Sequence, residues 1–180
     1  MEKFVPIQGL HHWAYRCRDA EETRRFYEDL LGLPLTHFIR ADNYVGTTGE
    51  HVDVYVHLFF EMADGSSLAF FDLGDNVAAQ PSPNTPQWCN HMALQVNSLD
   101  DLQKAHQRLE QAGVEVVGPL EHGGFVTSIY FADPNGARLE LTTPVAGPEQ
   151  LAGYRSAARA ALDAWTREKR SKTARAAETA

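Results

Sequence analysis

The sequence predicts an α+β fold: two tandem β-α-β-β-β modules followed by a C-terminal helix. Three observations carry that prediction. The order strand, acidic cap, helix, glycine occurs twice, at residues 9–32 (GLHHWAYRCRDAEETRRFYEDLLG) and 90–113 (NHMALQVNSLDDLQKAHQRLEQAG). Each copy is followed by two strands joined through a turn-forming tetrapeptide, Ala63-Asp64-Gly65-Ser66 or Asp133-Pro134-Asn135-Gly136. Within the strands, apolar and polar residues alternate with period two, the signature of a sheet with two unlike faces.

In the first module, residues 8–73, the opening strand runs through His12 and Trp13 to Cys17. Asp19 with Glu22 caps the helix that follows, Phe26, Leu30 and Leu31 line its inner face, and Gly32 ends it. A weak strand is expected around Leu35 to Ile39. A strong one is expected from Val52 to Met62, and another from Ser67 to Leu73. Residues 74–87, rich in Pro, Asn and Ala, read as a linker. In the second module, residues 88–143, Ser98 with Asp101 caps a helix whose inner face holds Leu99, Leu102, His106 and Leu109, and Gly113 ends it. Val114 to Val117, Phe125 to Ala132 and Ala137 to Thr142 are the expected strands. In residues 144–180, an amphipathic helix is expected over 147–168, and the basic stretch Arg167, Lys169, Arg170, Lys172, Arg175 as its solvated, fraying end.

Composition narrows the function classes. With 180 residues and a net charge of −8, the chain has room for one buried core and offers no basic surface for nucleic acid. No apolar run reaches the roughly 20 residues needed to cross a bilayer. The N-terminus has no export-signal pattern, so a cytoplasmic location is expected. Cys17 and Cys89 are expected as reduced thiols.

Parity sorts the strands into faces. Val52, Val54, Val56, Leu58, Phe60 and Met62 share the core face, leaving Asp53, Tyr55, His57, Phe59 and Glu61 opposite. Trp13, Tyr15 and Cys17 read as core, with His12, Ala14 and Arg16 opposite, and His11 falls on the core side. Met92, Leu94 and Val96 oppose His91, Ala93 and Gln95. Leu139 and Leu141 oppose Arg138, Glu140 and Thr142, while Ser128 and Tyr130 lie across from Ile129 and Phe131. Each module therefore presents one apolar face and one carrying His, Glu, Tyr, Ser and Arg. The polar faces lack the lysines expected of a solvated sheet, which points to a concave, partly dry site. A buried Glu140 needs a cation, either a metal or an arginine such as Arg16 or Arg138.

The phrases Phe26-Tyr27-Glu28-Asp29-Leu30-Leu31-Gly32-Leu33, His91-Met92-Ala93-Leu94-Gln95-Val96 and Asp133-Pro134-Asn135-Gly136-Ala137-Arg138-Leu139-Glu140-Leu141, with His12 ahead of Asp19, resemble the vicinal oxygen chelate superfamily over roughly residues 8–143. That group includes glyoxalase I, extradiol dioxygenases, epimerases, fosfomycin-resistance enzymes and bleomycin-binding proteins. The resemblance implies a cupped mixed sheet around a divalent metal held by His12, His91 and Glu140. The position equivalent to Glu140 in the first module is Ala69, which has no donor. Two His and one carboxylate make the facial triad of non-haem Fe(II) oxygenases.

The resemblance thus implies an Fe(II) extradiol-type dioxygenase acting on a small catechol-like substrate, with O2 as co-substrate. Tyr130 would orient the substrate, and His57 or His122 would move protons. The loop Gly65-Ser66-Ser67 lacks the histidine that ring-cleaving relatives carry there. Mn(II), Ni(II), Co(II) or Zn(II) would suit the same ligands. The alternatives are a glyoxalase-like isomerase, lyase or epimerase working through an enediolate, and a non-catalytic antibiotic-binding protein. A homodimer is expected, with an apolar stripe of Leu151, Tyr154, Ala158, Leu162 and Trp165 available to it; neither nucleic acid nor membrane is expected as a partner.

Overall fold

The architecture comes from a computed structural model, which describes residues 5–80 and 82–178. In the first module, β1 (His12–Cys17) leads into α1 (Ala20–Arg24), which widens into a π-helical segment at Arg25–Leu30. The strands β2 (Leu35–Val45), β3 (His51–Glu61) and β4 (Ser67–Asp72) complete it. The second module repeats the order with β5 (Met92–Gln95), α2 (Leu99–Gln111), β6 (Val117–His122), β7 (Val126–Ala132) and β8 (Arg138–Pro144). The helix α3 (Pro148–Glu178) follows. Its Ala, Arg, Glu and Lys are strong helix formers, so the helix runs on through the basic stretch where fraying was expected.

Each module forms its own four-stranded mixed sheet, β1-β4-β3-β2 and β5-β8-β7-β6, and the second order is the first shifted by four strands. In both, the opening strand pairs parallel to the last strand, and the remaining pairs are antiparallel. Local chemistry sets the element ends. The Asp19 carboxylate accepts from the Glu22 amide at 2.6 Å, and the Ser98 hydroxyl from the Asp101 amide at 3.1 Å. Leu31 N–H bonds to the Phe26 carbonyl, the wide i→i+5 ring of a π-turn, and both Phe26 and Tyr27 are buried there.

Two expected strands came out differently. The Val114 amide closes the end of α2 on the Leu109 carbonyl, so 114–116 pack against the core and β6 begins only at Val117. This shift carries His122 from a loop to the end of a strand. β2 is eleven residues long because the whole of β3 supplies a partner for it, down to Val45 opposite His51.

The apolar faces of the two modules meet in a single core. Phe60, Leu68 and Phe70 of the first sheet belong to the same buried cluster as Ile129, Leu139 and Leu141 of the second, with Tyr27, Leu102 and Leu109 of the helices between them. The Asp133–Gly136 turn clamps the first helix. Tyr27 donates its phenol to Asp133 at 3.0 Å, Arg18 N–H donates to the Asn135 side chain at 2.9 Å, and the Asn135 amide reaches Thr23 at 3.3 Å. Burial pushes the Asp133 carboxyl and the Tyr27 phenol upward, so a neutral acid or a fully bonded carboxylate is what the site tolerates. Trp13, expected as core, is 51% exposed, and His11, also sorted to the core side, is exposed: the edge strand β1 begins before the core reaches it.

Candidate metal and substrate site

On the second module, β5, β7 and β8 bring together the polar groups that parity assigns to one face. Glu140 sits opposite Tyr130 in the ladder, and Ser128 opposite Thr142. His91, immediately before β5, approaches the Glu140 carboxylate with Nε2 to Oε2 at 2.9 Å. The other carboxylate oxygen accepts from the Ser128 hydroxyl, and Glu140 is only 6% exposed. His91 Nδ1 lies 3.2 Å from the Cys89 carbonyl.

That last contact has an electrostatic consequence. With hydrogen on Nδ1 for the carbonyl, Nε2 keeps a lone pair for a cation shared with Glu140; with hydrogen on Nε2, the ring donates to the carboxylate directly. A carbonyl behind one imidazole nitrogen and a hydroxyl behind the carboxylate are the partners that orient metal ligands. Neither arginine takes this role: Arg16 pairs with Asp75, and the Arg138 guanidinium lies over the Tyr130 ring, 4.6 Å from its centroid.

Tyr130 hydrogen-bonds His122 Nε2 at 2.9 Å, and its ring stands edge-on to His91 with centroids 6.0 Å apart. Burial, and then the Glu140 charge, push its phenol upward, so it remains a proton donor at neutral pH. His122, which the sequence set in a loop, is thus tied to the same face.

On the first module, His12 lies at the open end of β1, with Nδ1 2.7 Å from His11 Nδ1. His57 is buried between Phe71, stacked at 3.6 Å, and Phe59 at 4.3 Å, and its Nε2 has no hydrogen-bond partner. Burial, then the neighbouring His12 and His37, lower its pKa to about 4, so the ring is neutral at pH 7. The His12 ring lies 6.1 Å from it. Ala69 is fully buried beside these groups and supplies no donor.

Of the three expected ligands, one chain brings together His91 and Glu140 but not His12. Among the described residues, no three His, Cys, Asp or Glu side chains are close enough to hold a metal ion. The donor types fit a divalent ion, and two of them are already paired; the third stands on the other module. Ser128, the Cys89 carbonyl and the stacking of Arg138 were not singled out from sequence. Ser128 could have been, since it lies two residues before Tyr130 on the same face as Glu140.

Residues 9–141 match the family model of the Glyoxalase/Bleomycin resistance protein/Dioxygenase superfamily. The chain belongs to this superfamily. Over 135 residues it is 32% identical to the glutathione transferase FosA of Serratia marcescens, covering 75% of this chain and 80% of that protein. It is 28% identical over 134 residues to a biphenyl-2,3-diol 1,2-dioxygenase of Metapseudomonas furukawaii, a match spanning 74% of this chain but only 39% of that longer protein. Among solved structures, a glyoxylase/bleomycin resistance protein/dioxygenase domain from Frankia superposes with a TM-score of 0.61 at 20% identity, covering 77% of this chain and 99% of that one. That likeness establishes the fold alone. No helix among the described residues is long and apolar enough to cross a membrane.

Proposed function

We propose that the protein is a metal-dependent enzyme of the extradiol-dioxygenase type, acting on a small catechol-like substrate that presents two adjacent oxygens. The observation that carries this reading is the His91–Glu140 pair, an imidazole and a buried carboxylate brought together at 2.9 Å, both donor types of a two-His, one-carboxylate centre. Members of the superfamily use Fe(II), Mn(II), Zn(II) or Ni(II). The two-His, one-carboxylate donor set favours Fe(II). A ferrous ion there would supply Lewis acidity and a route for electrons to O2.

The chain's own groups divide the remaining work. The Tyr130 phenol, backed by His122, orients a substrate oxygen. His57 is neutral with Nε2 unpartnered, so its free lone pair is the acceptor this face offers to a substrate proton. The same His57 supports a second reading, an isomerase or lyase that shuttles a proton through an enediolate. Two unpaired cysteines suit a reducing, cytoplasmic setting.

The third ligand comes, in this reading, from a second copy of the chain. The apolar faces of both modules are spent on a shared core, while His12 and His91 are both exposed. An exposed tryptophan lies near each in sequence, Trp13 at 51% and Trp88 at 69%. A homodimer in which His12 of one copy meets His91 and Glu140 of the other completes the triad and covers these rings.

The test is metal content and O2 uptake with catechols for the wild type, His12→Ala, Glu140→Ala, and the two variants unfolded and refolded together. Both single variants are expected to lack metal. Co-refolding should restore roughly a quarter of the wild-type sites, because half of random dimers are mixed and each holds one intact centre. No restoration would sink the shared centre. Full metal in Glu140→Ala would sink the ligand assignment, and turnover without O2 would favour the isomerase.

A further inference from the structure

Arg138, part-buried at the start of β8, lacks the partner that an enclosed guanidinium nitrogen normally has. Its Nε is sealed from solvent without an acceptor, and among the described residues no carboxylate lies within salt-bridge distance of it. Its guanidinium lies over the Tyr130 ring face. The Glu140 oxygens, two residues along the same strand face, are taken by Ser128 and His91. An enclosed N–H without an acceptor is costly, and the planar guanidinium fork matches the two oxygens of a carboxylate.

Arg138 and Tyr130 line a cavity of about 450 Å³, within the range of small-molecule sites. Thr85 and Gln87 of the linker and Asn90 just beyond it bring neutral hydrogen-bonding groups to its wall, and Glu115 is its one acidic lining residue. His91 and Glu140 do not line this cavity themselves; they adjoin it in sequence, His91 directly after Asn90 and Glu140 two residues after Arg138. Arg138 and Glu140 stand two residues apart on one strand face, about 7 Å along the chain. A single aromatic ring with its substituents spans that length.

We infer that Arg138 is the anchor for a carboxylate on the substrate, so that the protein takes a small dihydroxy acid, its carboxylate on Arg138 and its vicinal oxygens towards His91 and Glu140. The inference rests on the proposed metal reading for the far end of the substrate only. The Glu115 charge and the overall charge of −8 disfavour a dianionic phosphorus oxyanion relative to a carboxylate monoanion.

The experiment is calorimetric titration of metal-free protein with 3,4-dihydroxybenzoate and with its neutral amide, repeated on Arg138→Gln, Arg138→Lys and Glu140→Ala. The acid is expected to bind the wild type at least about tenfold more tightly than the amide, the scale of one charge-assisted contact. Arg138→Gln should erase that preference, Arg138→Lys should keep part of it, and Glu140→Ala should keep it in full. Equal binding of acid and amide, an unchanged preference in Arg138→Gln and Arg138→Lys, or no binding of the acid at millimolar concentration would each overturn the inference. Displacement of the acid by inorganic phosphate at lower concentration would overturn the carboxylate assignment. Because no metal is present, failure here is separable from failure of the metal centre, which Glu140→Ala metal content reads independently.

Discussion

The two modules share one strand order and one capping scheme, yet their polar faces are built on opposite terms. On the second, the polar groups satisfy one another: His91 leans on the Cys89 carbonyl, Glu140 on Ser128, and Tyr130 on His122. On the first, His57 is packed between aromatic rings with a nitrogen left bare, and the residue in the position of Glu140 is Ala69. A repeat keeps its fold as long as the apolar face keeps its pattern. The other face is then free to diverge, one copy towards a mutually bonded polar cluster and the other towards a dry aromatic wall around one histidine.

The comparison is broken most severely by making the first face resemble the second. Ala69→Glu sets a carboxylate at a fully buried position with no hydroxyl behind it. A loss of about 3 kcal/mol or more is expected, from overpacking plus an unpaired buried charge, read as a drop in the urea midpoint. A midpoint within error of the wild type would mean that the first face already contains a cation-ready site. Next in size is the clamp between modules. Tyr27→Phe removes the phenol that donates to Asp133 and leaves a buried acceptor short, at a cost of about 1–2 kcal/mol. Unfolding that splits into two transitions in this variant would show that the clamp, more than the apolar core, couples the modules.

The elements and faces were largely visible in the sequence because they depend on local chemistry: the caps at Asp19 and Ser98, the glycines after each helix, and the period-two alternation that put His57, Tyr130 and Glu140 on the polar faces. What depends on distant partners was not visible. The length of β2 depends on β3, and the start of β6 depends on how α2 ends. That His91 and Glu140 meet follows from the pairing of β5 with β8, strands distant in sequence with Met92 opposite Leu139, while His12 is on the other module's sheet. The exposure of Trp13 likewise depends on distant partners. Its parity suggested core, but burial requires a neighbouring surface, and parity says nothing about where one lies.

A smaller effect, of opposite sign, tests whether the first face holds its histidine for function. His57→Phe replaces an imidazole stacked on Phe71 with a ring of similar shape and removes an unsatisfied buried nitrogen. Stability should rise by about 1 kcal/mol while turnover falls, the trade expected of a group kept against the fold's own interest. A destabilised variant would mean that Nε2 is bonded in solution, and a stabilised, fully active one would remove His57 from the chemistry.

The smallest perturbation compares the two cysteines. Cys17 is wholly buried on the core side of β1, and burial pushes its thiol up to about 11, whereas Cys89 is exposed beside His91. The fold holds the Cys17 thiol protonated, so its contribution to stability is complete below the ordinary thiol range and is lost as pH rises through about 11. At pH 8, iodoacetamide should therefore modify Cys89 alone in the native protein and both cysteines in urea, as read by intact mass. Modification of Cys17 in the native protein would mean that β1 leaves the sheet readily. An edge strand that opens in this way would let His12 move, and the separation between the two half-sites would then belong to one conformation of the chain instead of to its fold.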